Sequence, residues 1–116
     1  MRGAAEEDLA LRFMQSQGLQ LVARNVRFKG GELDLVMQDG DTLVIAEVRK
    51  RSRDDYGGAA ASVGASKQRR IVLATRLWLA RSPQYANHAI RFDVCALDRA
   101  NRIEWLRAAF DAGDSR

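Results

Sequence analysis

The chain has 116 residues, of which 47% are hydrophobic, which suits one compact domain and leaves no room for two. Its 19 lysines and arginines against 15 acids give a net charge of +4, an excess that permits a polyanionic partner without requiring one. A single cysteine excludes an internal disulfide and a thiolate zinc site. Since there is also no long apolar stretch or secretory signal pattern, we expect a cytoplasmic protein that does not contact membranes.

The first part of the chain predicts one amphipathic helix followed by three strands. Apolar residues recur at helical spacing from Ala4 to Gln17, and Gly18 follows as a C-terminal stop. Three β-rich runs separated by glycine-containing turns come next, at 19–28, 32–38 and 42–50. The turn sequence Asp39-Gly40-Asp41 is a strong hairpin signal, so the three strands are predicted to form an antiparallel meander.

The second part predicts one helix and two strands. The segment 51–65 is rich in small residues and irregular, as expected for a functional loop. A helical stripe runs from Ser66 to about Arg81, where Ser82-Pro83 ends it. Strands are predicted from Ile90 to Asp98 and from Arg102 to Leu106, with a turn between them.

The order of these elements, α-β-β-β-α-β-β, predicts an α/β fold. We expect one domain over residues 1–110 and a frayed tail at 111–116. No internal repeat or linker divides the chain.

Two carboxylates interrupt strands that are otherwise apolar. Strict alternation puts Asp34 on one face of its strand, opposite a face formed by Leu33, Leu35 and Met37. In the next strand, Glu47 shares a face with Leu43, Ile45 and Arg49. Both faces of this second strand begin apolar, so it is predicted to be central and covered. A charge placed there is costly unless something compensates it.

The hairpin brings Asp34 and Glu47 within reach of each other across the two strands. Two carboxylates about 4 Å apart repel by roughly 4 kcal/mol at an effective dielectric near 20. Arg49 or a hard cation such as Mg²⁺ or Mn²⁺ could offset that repulsion. The residues alone leave a second interpretation open, in which Glu47 and Arg49 form a structural ion pair and Asp34 helps to nucleate the turn.

The same segments resemble the YraN family. The resemblance rests on GGELDLV at 30–36 and VIAEVR at 44–49, and it continues through YGGAAASV at 56–63, SKQ at 66–68, LWLA at 77–80, RFDV at 91–94 and IEW at 103–105. No single motif is specific, but their order and spacing cover almost the whole chain. The YraN family is similar to Holliday-junction resolvases within the PD-(D/E)XK nuclease superfamily.

The resemblance implies a restriction-endonuclease-like core, with a central mixed sheet flanked by helices. It also implies that Asp34 and Glu47 bind Mg²⁺ or Mn²⁺ and that Arg49 fills the position at which the superfamily prefers lysine. Arginine is effectively always protonated, so Arg49 can stabilise phosphoryl charge or orient water but is a poor general base. The attacking hydroxide is then expected to come from metal-bound water.

The resemblance adds a first-helix glutamate as a third metal ligand and catalytic residue. The family pattern maps it to Glu7, whereas Glu6 lies nearer the centre of the apolar stripe of that helix. Either glutamate could instead only favour the helix N-terminus electrostatically.

Basic residues on both sides of the irregular segment are candidates for nucleic-acid binding. Lys67 and Gln68 open the second helix, where backbone N–H groups and a cation could hold a phosphate. Lys50 and Arg51 would join them in a positive rim that also includes Arg49, Arg53, Arg69, Arg70 and Arg76. The alternatives are an ordinary hydrophilic first turn and a solvated loop.

Together, the residues and the resemblance predict a metal-dependent endonuclease that acts on DNA, with branched or structured DNA as the substrate by analogy. One alternative is a binding module for nucleic acid or protein that keeps the fold without turnover. Another is a structural protein whose carboxylates are neutralised by Arg49. Because resolvase-like proteins often act as dimers, a homodimer is a further hypothesis.

Overall fold

The alternating and helical hydrophobic patterns produce a five-stranded sheet with one helix on each face. The computed structural model describes residues 4–51 and 63–112. Within them, the elements in chain order are α1 (Ala4–Ser16), β1 (Gln20–Phe28), β2 (Gly31–Asp39), β3 (Thr42–Lys50), α2 (Ala65–Ala80), a 3₁₀ helix (Pro83–Tyr85), β4 (Ala89–Leu97) and β5 (Ile103–Phe110). The predicted order α-β-β-β-α-β-β is confirmed.

The strands lie in the sheet in the same order as in the chain. The first three form the predicted antiparallel meander, and β4 and β5 form a second antiparallel pair. The pairing of β3 with β4 is parallel, and the crossover that such a pairing needs contains α2. The sheet is therefore mixed and flanked by helices, consistent with a resolvase-like core.

Each face of the sheet has its own hydrophobic core. Leu43 and Ile45 of β3 pack into the core under α2, together with Ile71 and Trp78 of that helix. The alternate residues of β3 pack into the core under α1, which contains Val44, Ala46, Val48, Ala10 and Met14. The prediction that β3 is central and covered on both faces is confirmed, and alternation assigns Glu47 to the α2 face.

One predicted face is wrong. Leu33 belongs to the core under α2, whereas Leu35 and Met37 belong to the core under α1. Strict alternation fails between Leu33 and Leu35, next to the end of the ladder that joins β2 to β3 at the pair Leu35 and Ala46. Beyond that pair, the described backbone pairing of β2 continues with β1.

The neighbouring strand β1 is also irregular at this point. Asn25 has a φ of +54°, in the left-handed region that asparagine tolerates better than most residues. It lies between Arg24 and Val26, which pair with Leu35 and Leu33 of β2. Both strands are therefore irregular next to Asp34, and β1 has a second irregularity between Leu21 and Ala23.

The turn between β1 and β2 packs tightly against α2. Gly30 has a φ of +94°, which favours glycine. A Cβ atom on Gly31 would collide with the backbone carbonyl oxygen of Arg70. The two glycines that signalled a turn in the sequence therefore also allow the close approach of the hairpin to the helix.

The last strand is longer than predicted, because β5 continues to Phe110. The register between β4 and β5 shifts between Phe92 and Val94, and Ala108 has a φ of +52°. A bulge of this kind interrupts the alternation from which the strand was predicted.

Three groups of predicted residues lie outside the described part of the chain: the tail residues 113–116, Arg53, and most of the predicted loop, Tyr56 included. Neither α1 nor α2 has the length and apolar character of a membrane-spanning helix.

Candidate functional site

Asp34 and Glu47 come together where β2 separates from β3. The ladder ends at Leu35 and Ala46, so the next position of the same register places Asp34 opposite Glu47. Both residues are buried, with exposed fractions of 2% and 1%. The two carboxylates that the sequence singled out are therefore neighbours in a site from which water is largely excluded.

A backbone hydrogen bond orients Asp34. The backbone N–H of Val48 donates to Oδ2 of Asp34 at 2.9 Å, so the side chain of β2 reaches across to β3 after the backbone ladder has ended. This bond satisfies a buried β3 amide and fixes the carboxylate.

The carboxylate of Glu47 is less well hydrogen-bonded than that of Asp34. The Nζ atom of Lys67 lies 2.9 Å from Oε1 of Glu47, but neither carboxylate oxygen has a hydrogen bond of acceptable geometry within the part of the chain that the structure describes. Burial, followed by the charge of Asp34, raises the pKa of Glu47 from 4.5 to about 8, against the opposing effect of Lys67. Two adjacent buried carboxylates beside one lysine therefore favour retention of a proton by Glu47.

The first helix adds a third carboxylate. Glu7 is buried, whereas Glu6 is only partly so. Burial raises the pKa of Glu7, and the charge of Asp34 raises it further. Arg24 lies 3.5 Å from Glu7 and 2.9 Å from Asp8. Of the two glutamates left open by the sequence, Glu7 is thus the one in the electrostatic environment of Asp34.

Arg49 does not neutralise Glu47. The Nε atom of Arg49 is buried and has no hydrogen-bond partner among residues 4–51 and 63–112. Among the described residues, the cation within ion-pair distance of Glu47 is Lys67, which α2 carries over the same face of the sheet. The interpretation that Glu47 forms an ion pair with Arg49 is therefore wrong, because Glu47 pairs with Lys67.

Three residues that were predicted to bind nucleic acid, Gln68, Lys50 and Arg51, lie away from the carboxylates. Gln68 donates its side-chain amide to the carbonyl oxygen of Val63 at 2.9 Å, which ties the start of α2 to the preceding segment. Lys50 is exposed at the end of β3, and Arg51 forms an ion pair with Glu104 of β5. Only Lys67 of this group is brought to the carboxylates.

Sequence reasoning missed the contact between Lys67 and Glu47. No local pattern signals it, because the pair depends on how α2 packs over β3. The structure also contains a further buried carboxylate, Asp93, that lies outside the predicted site. Asp93 is fully buried in the middle of β4 and accepts hydrogen bonds from the side chains of Arg91 and Trp105 and from the backbone N–H of Ala108.

Asp34, Glu47 and Glu7 are buried oxygen donors, the ligand type that a hard divalent cation prefers. The described residues contain no group of three or more His, Cys, Asp or Glu side chains close enough together to be a formed metal cluster. Lys67 supplies the positive charge at Glu47 in this arrangement. Asp34, Glu47 and Glu7 therefore fit Mg²⁺ or Mn²⁺ in donor type, although they do not form an assembled ligand group among the described residues.

The fold and site define an α/β protein with a five-stranded mixed sheet, consistent with a resolvase-like core, and a pair of buried carboxylates, Asp34 and Glu47, beside Lys67 of α2. The profile of the uncharacterised protein family UPF0102 matches residues 6–97. The chain is 50% identical over 113 residues to a UPF0102 protein of Pseudomonas putida strain GB-1, covering 94% of this chain and 92% of the relative. It is 53% identical over 110 residues to a UPF0102 protein of Herminiimonas arsenicoxydans, covering 95% and 86% of the two chains. The chain therefore belongs to the UPF0102 family.

Proposed function

We propose that this protein is a metal-dependent endonuclease of the YraN type that cleaves phosphodiester bonds in DNA. The observation that carries the proposal is the burial of Asp34 and Glu47 side by side, with the Nζ atom of Lys67 2.9 Å from Glu47. A carboxylate pair of this kind is costly in a structural core. It is understandable in a site that binds a cation.

Asp34, Glu47 and Glu7 would hold Mg²⁺ or Mn²⁺, which when bound stabilises phosphoryl charge as a Lewis acid and makes water more acidic. The bond from Val48 N–H keeps the Asp34 carboxylate in a fixed orientation. Glu7 contributes from the opposite face of the sheet, through α1. The site thus draws its ligands from three separate elements.

Arg49 and Lys67 supply the permanent positive charge of the site. Arginine remains protonated at any pH of interest, and the buried Nε of Arg49 has no partner in the described part of the chain. It is therefore suited to donate to a phosphoryl oxygen whose charge grows during the reaction. Lys67 neutralises Glu47 and would face the same substrate from α2.

DNA is the proposed substrate, and branched or structured DNA follows from the resemblance to resolvases. The net charge of +4 is compatible with a polyanion. A homodimer remains part of the proposal by the same analogy.

The activity is tested by incubating the purified protein with labelled four-way junction, flap, single-stranded and duplex DNA in the presence of Mg²⁺ or Mn²⁺. We expect cleavage that falls by about 100-fold or more in Glu47→Gln and in Asp34→Asn. Asp41→Asn is the matched control, because Asp41 is exposed in the β2–β3 turn, and it should cleave like the wild type. Cleavage that survives both site variants would identify a contaminant, and no cleavage of any substrate would refute the activity.

A second candidate is a nucleic-acid-binding or protein-binding module without turnover. The observation that favours it is the ion pair between Lys67 and Glu47, which gives the buried carboxylate a counter-charge without any metal. Calorimetric titration with Mn²⁺ separates the two. Binding that is lost in Asp34→Ala supports a metal site, and no binding by the wild type supports the module.

A further inference from the structure

A groove lies beside the carboxylates, between the β1–β2 turn and α2. It has a volume of about 320 Å³. Its polar and charged lining within the described residues comprises Arg27, Glu32, Lys67 and Arg70. Lys67 also contacts Glu47, so the groove and the candidate metal site share this side chain.

The shape of the groove depends on Gly31. Gly31 is part of the lining, and a Cβ atom there would collide with the carbonyl oxygen of Arg70. The absence of a side chain lets the hairpin approach α2 closely. Cations from β1 and from α2 are consequently brought to the same opening, although they are far apart in the sequence.

Positive charge dominates the lining, with three cationic side chains against one carboxylate. Arg27 is 78% exposed and lies 3.8 Å from Glu32, a loose surface pair. Arg70 donates to the hydroxyl of Ser66 at 3.1 Å and is exposed. Among residues 4–51 and 63–112, neither arginine has a buried partner, so both are available to an anion that enters the groove.

We propose that this groove binds a backbone phosphate of the nucleic acid, adjacent to the phosphodiester that reaches the carboxylates. The inference rests on the proposed function, since it treats the groove as the continuation of that site. Arg27 and Arg70 hold the phosphate by charge, which fixes the position of the strand without reading its sequence. Lys67 connects the bound strand to Glu47.

Binding is measured by fluorescence anisotropy with labelled single-stranded, duplex and four-way-junction DNA, in EDTA and over a series of KCl concentrations. Arg27→Ala and Arg70→Ala should each weaken binding by about threefold to tenfold and lower the salt slope by about one unit. Arg12→Ala is the matched control, because Arg12 is exposed on α1, on the opposite face of the sheet, and does not line the groove. It should leave the salt slope within about half a unit of the wild-type slope.

Glu32→Gln provides a test that poor folding cannot imitate. This change removes the one carboxylate among the described residues that line the groove, so we expect tighter binding, by about twofold to fivefold. Inorganic phosphate should displace DNA no better than KCl of equal ionic strength. Preferential displacement by phosphate would assign the groove to free phosphate and overturn the proposal.

The results of these experiments distinguish a failure of the groove proposal from a failure of the nuclease proposal. If the wild type binds DNA but both arginine variants keep its affinity and salt slope, the groove proposal is refuted and the nuclease proposal stands. If the arginine variants behave as expected while no metal supports cleavage, the nuclease proposal fails and the groove stands. A wild type that binds no nucleic acid overturns both.

Discussion

At the scale of single residues, the burial of Glu47 is the clearest sign of a functional site. Its carboxylate is 1% exposed and lies next to the equally buried Asp34, and the pKa of Glu47 rises to about 8 because of burial and the charge of Asp34. An apolar residue of similar size would pack there without this cost. Function is the simplest reason for placing an acid in the central strand.

The raised pKa of Glu47 predicts a specific dependence of stability on pH. Between pH 4.5 and about 8 the folded state holds a proton that the unfolded state has released, so the free energy of unfolding falls as the pH rises through this window. The fall should be on the order of a few kcal/mol. Chemical denaturation at several pH values measures it in the metal-free protein.

Glu47→Gln is the comparison for this measurement. It should show a flatter profile over the same window and should gain stability relative to the wild type near the upper end. Glu7, whose pKa is also raised by burial and by Asp34, accounts for a remaining slope of the same sign. Parallel profiles for the wild type and Glu47→Gln would contradict the assignment of the raised pKa.

At the scale of elements, the site exists because strand pairing is incomplete. The end of the β2–β3 ladder at Leu35 and Ala46 frees the Asp34 side chain to bind the N–H of Val48. At the other side of the sheet, Asp93 accepts the N–H of Ala108 at 3.0 Å and supports the bulge in β5. Both carboxylates replace backbone bonds that irregular strands cannot make.

The packing of the β1–β2 hairpin on α2 predicts that Gly31→Ala is destabilising. The new Cβ meets the backbone of Arg70, and a helix backbone cannot move aside as a flexible side chain can. We expect a loss of about 1–3 kcal/mol in the free energy of unfolding, measured by denaturant titration. The hairpin must also lift from the helix, so DNA binding by the groove should weaken.

Gly64→Ala is the control for this change. Gly64 precedes α2 with a φ of −71°, and a Cβ atom there has open space around it. It should shift the free energy of unfolding by less than about 1 kcal/mol. Equal effects of the two alanine substitutions would argue that chain entropy, rather than the contact with Arg70, controls stability at position 31.

At the scale of the whole molecule, the candidate site joins all layers of the fold. Glu7 comes from α1, Asp34 and Glu47 from the sheet, and Lys67 from α2. The two helices pack on opposite faces through separate cores. A cation bound by the three carboxylates would therefore link α1 to the sheet and would bind the folded state alone.

This arrangement predicts that Mn²⁺ stabilises the protein as a whole. At a concentration of Mn²⁺ about 100 times its Kd, the free energy of unfolding should rise by about 2.7 kcal/mol. Thermal unfolding measures the rise, and excess EDTA should reverse it. Asp34→Ala should show no rise, whereas Asp41→Asn should behave like the wild type. A wild-type melting temperature that is indifferent to Mn²⁺ would count against the metal site.

The sequence by itself determined the order of the elements, the antiparallel meander and the identity of the two strand carboxylates. These follow from hydrophobic period and turn residues, which are local properties. The resemblance singled out Glu7, and its burial beside the charge of Asp34 agrees with that choice. The role of these residues in catalysis stays a prediction.

Only the tertiary structure decided which groups meet. The failure of alternation at Asp34, the pairing of Lys67 rather than Arg49 with Glu47, and the groove that brings Arg27 to Arg70 all join segments that are distant in the sequence. Strand register and helix packing set these contacts, and neither has a local signature. The free energy of burying a charge depends on the groups that surround it in space. The chemistry of the site could therefore be inferred only from the tertiary structure.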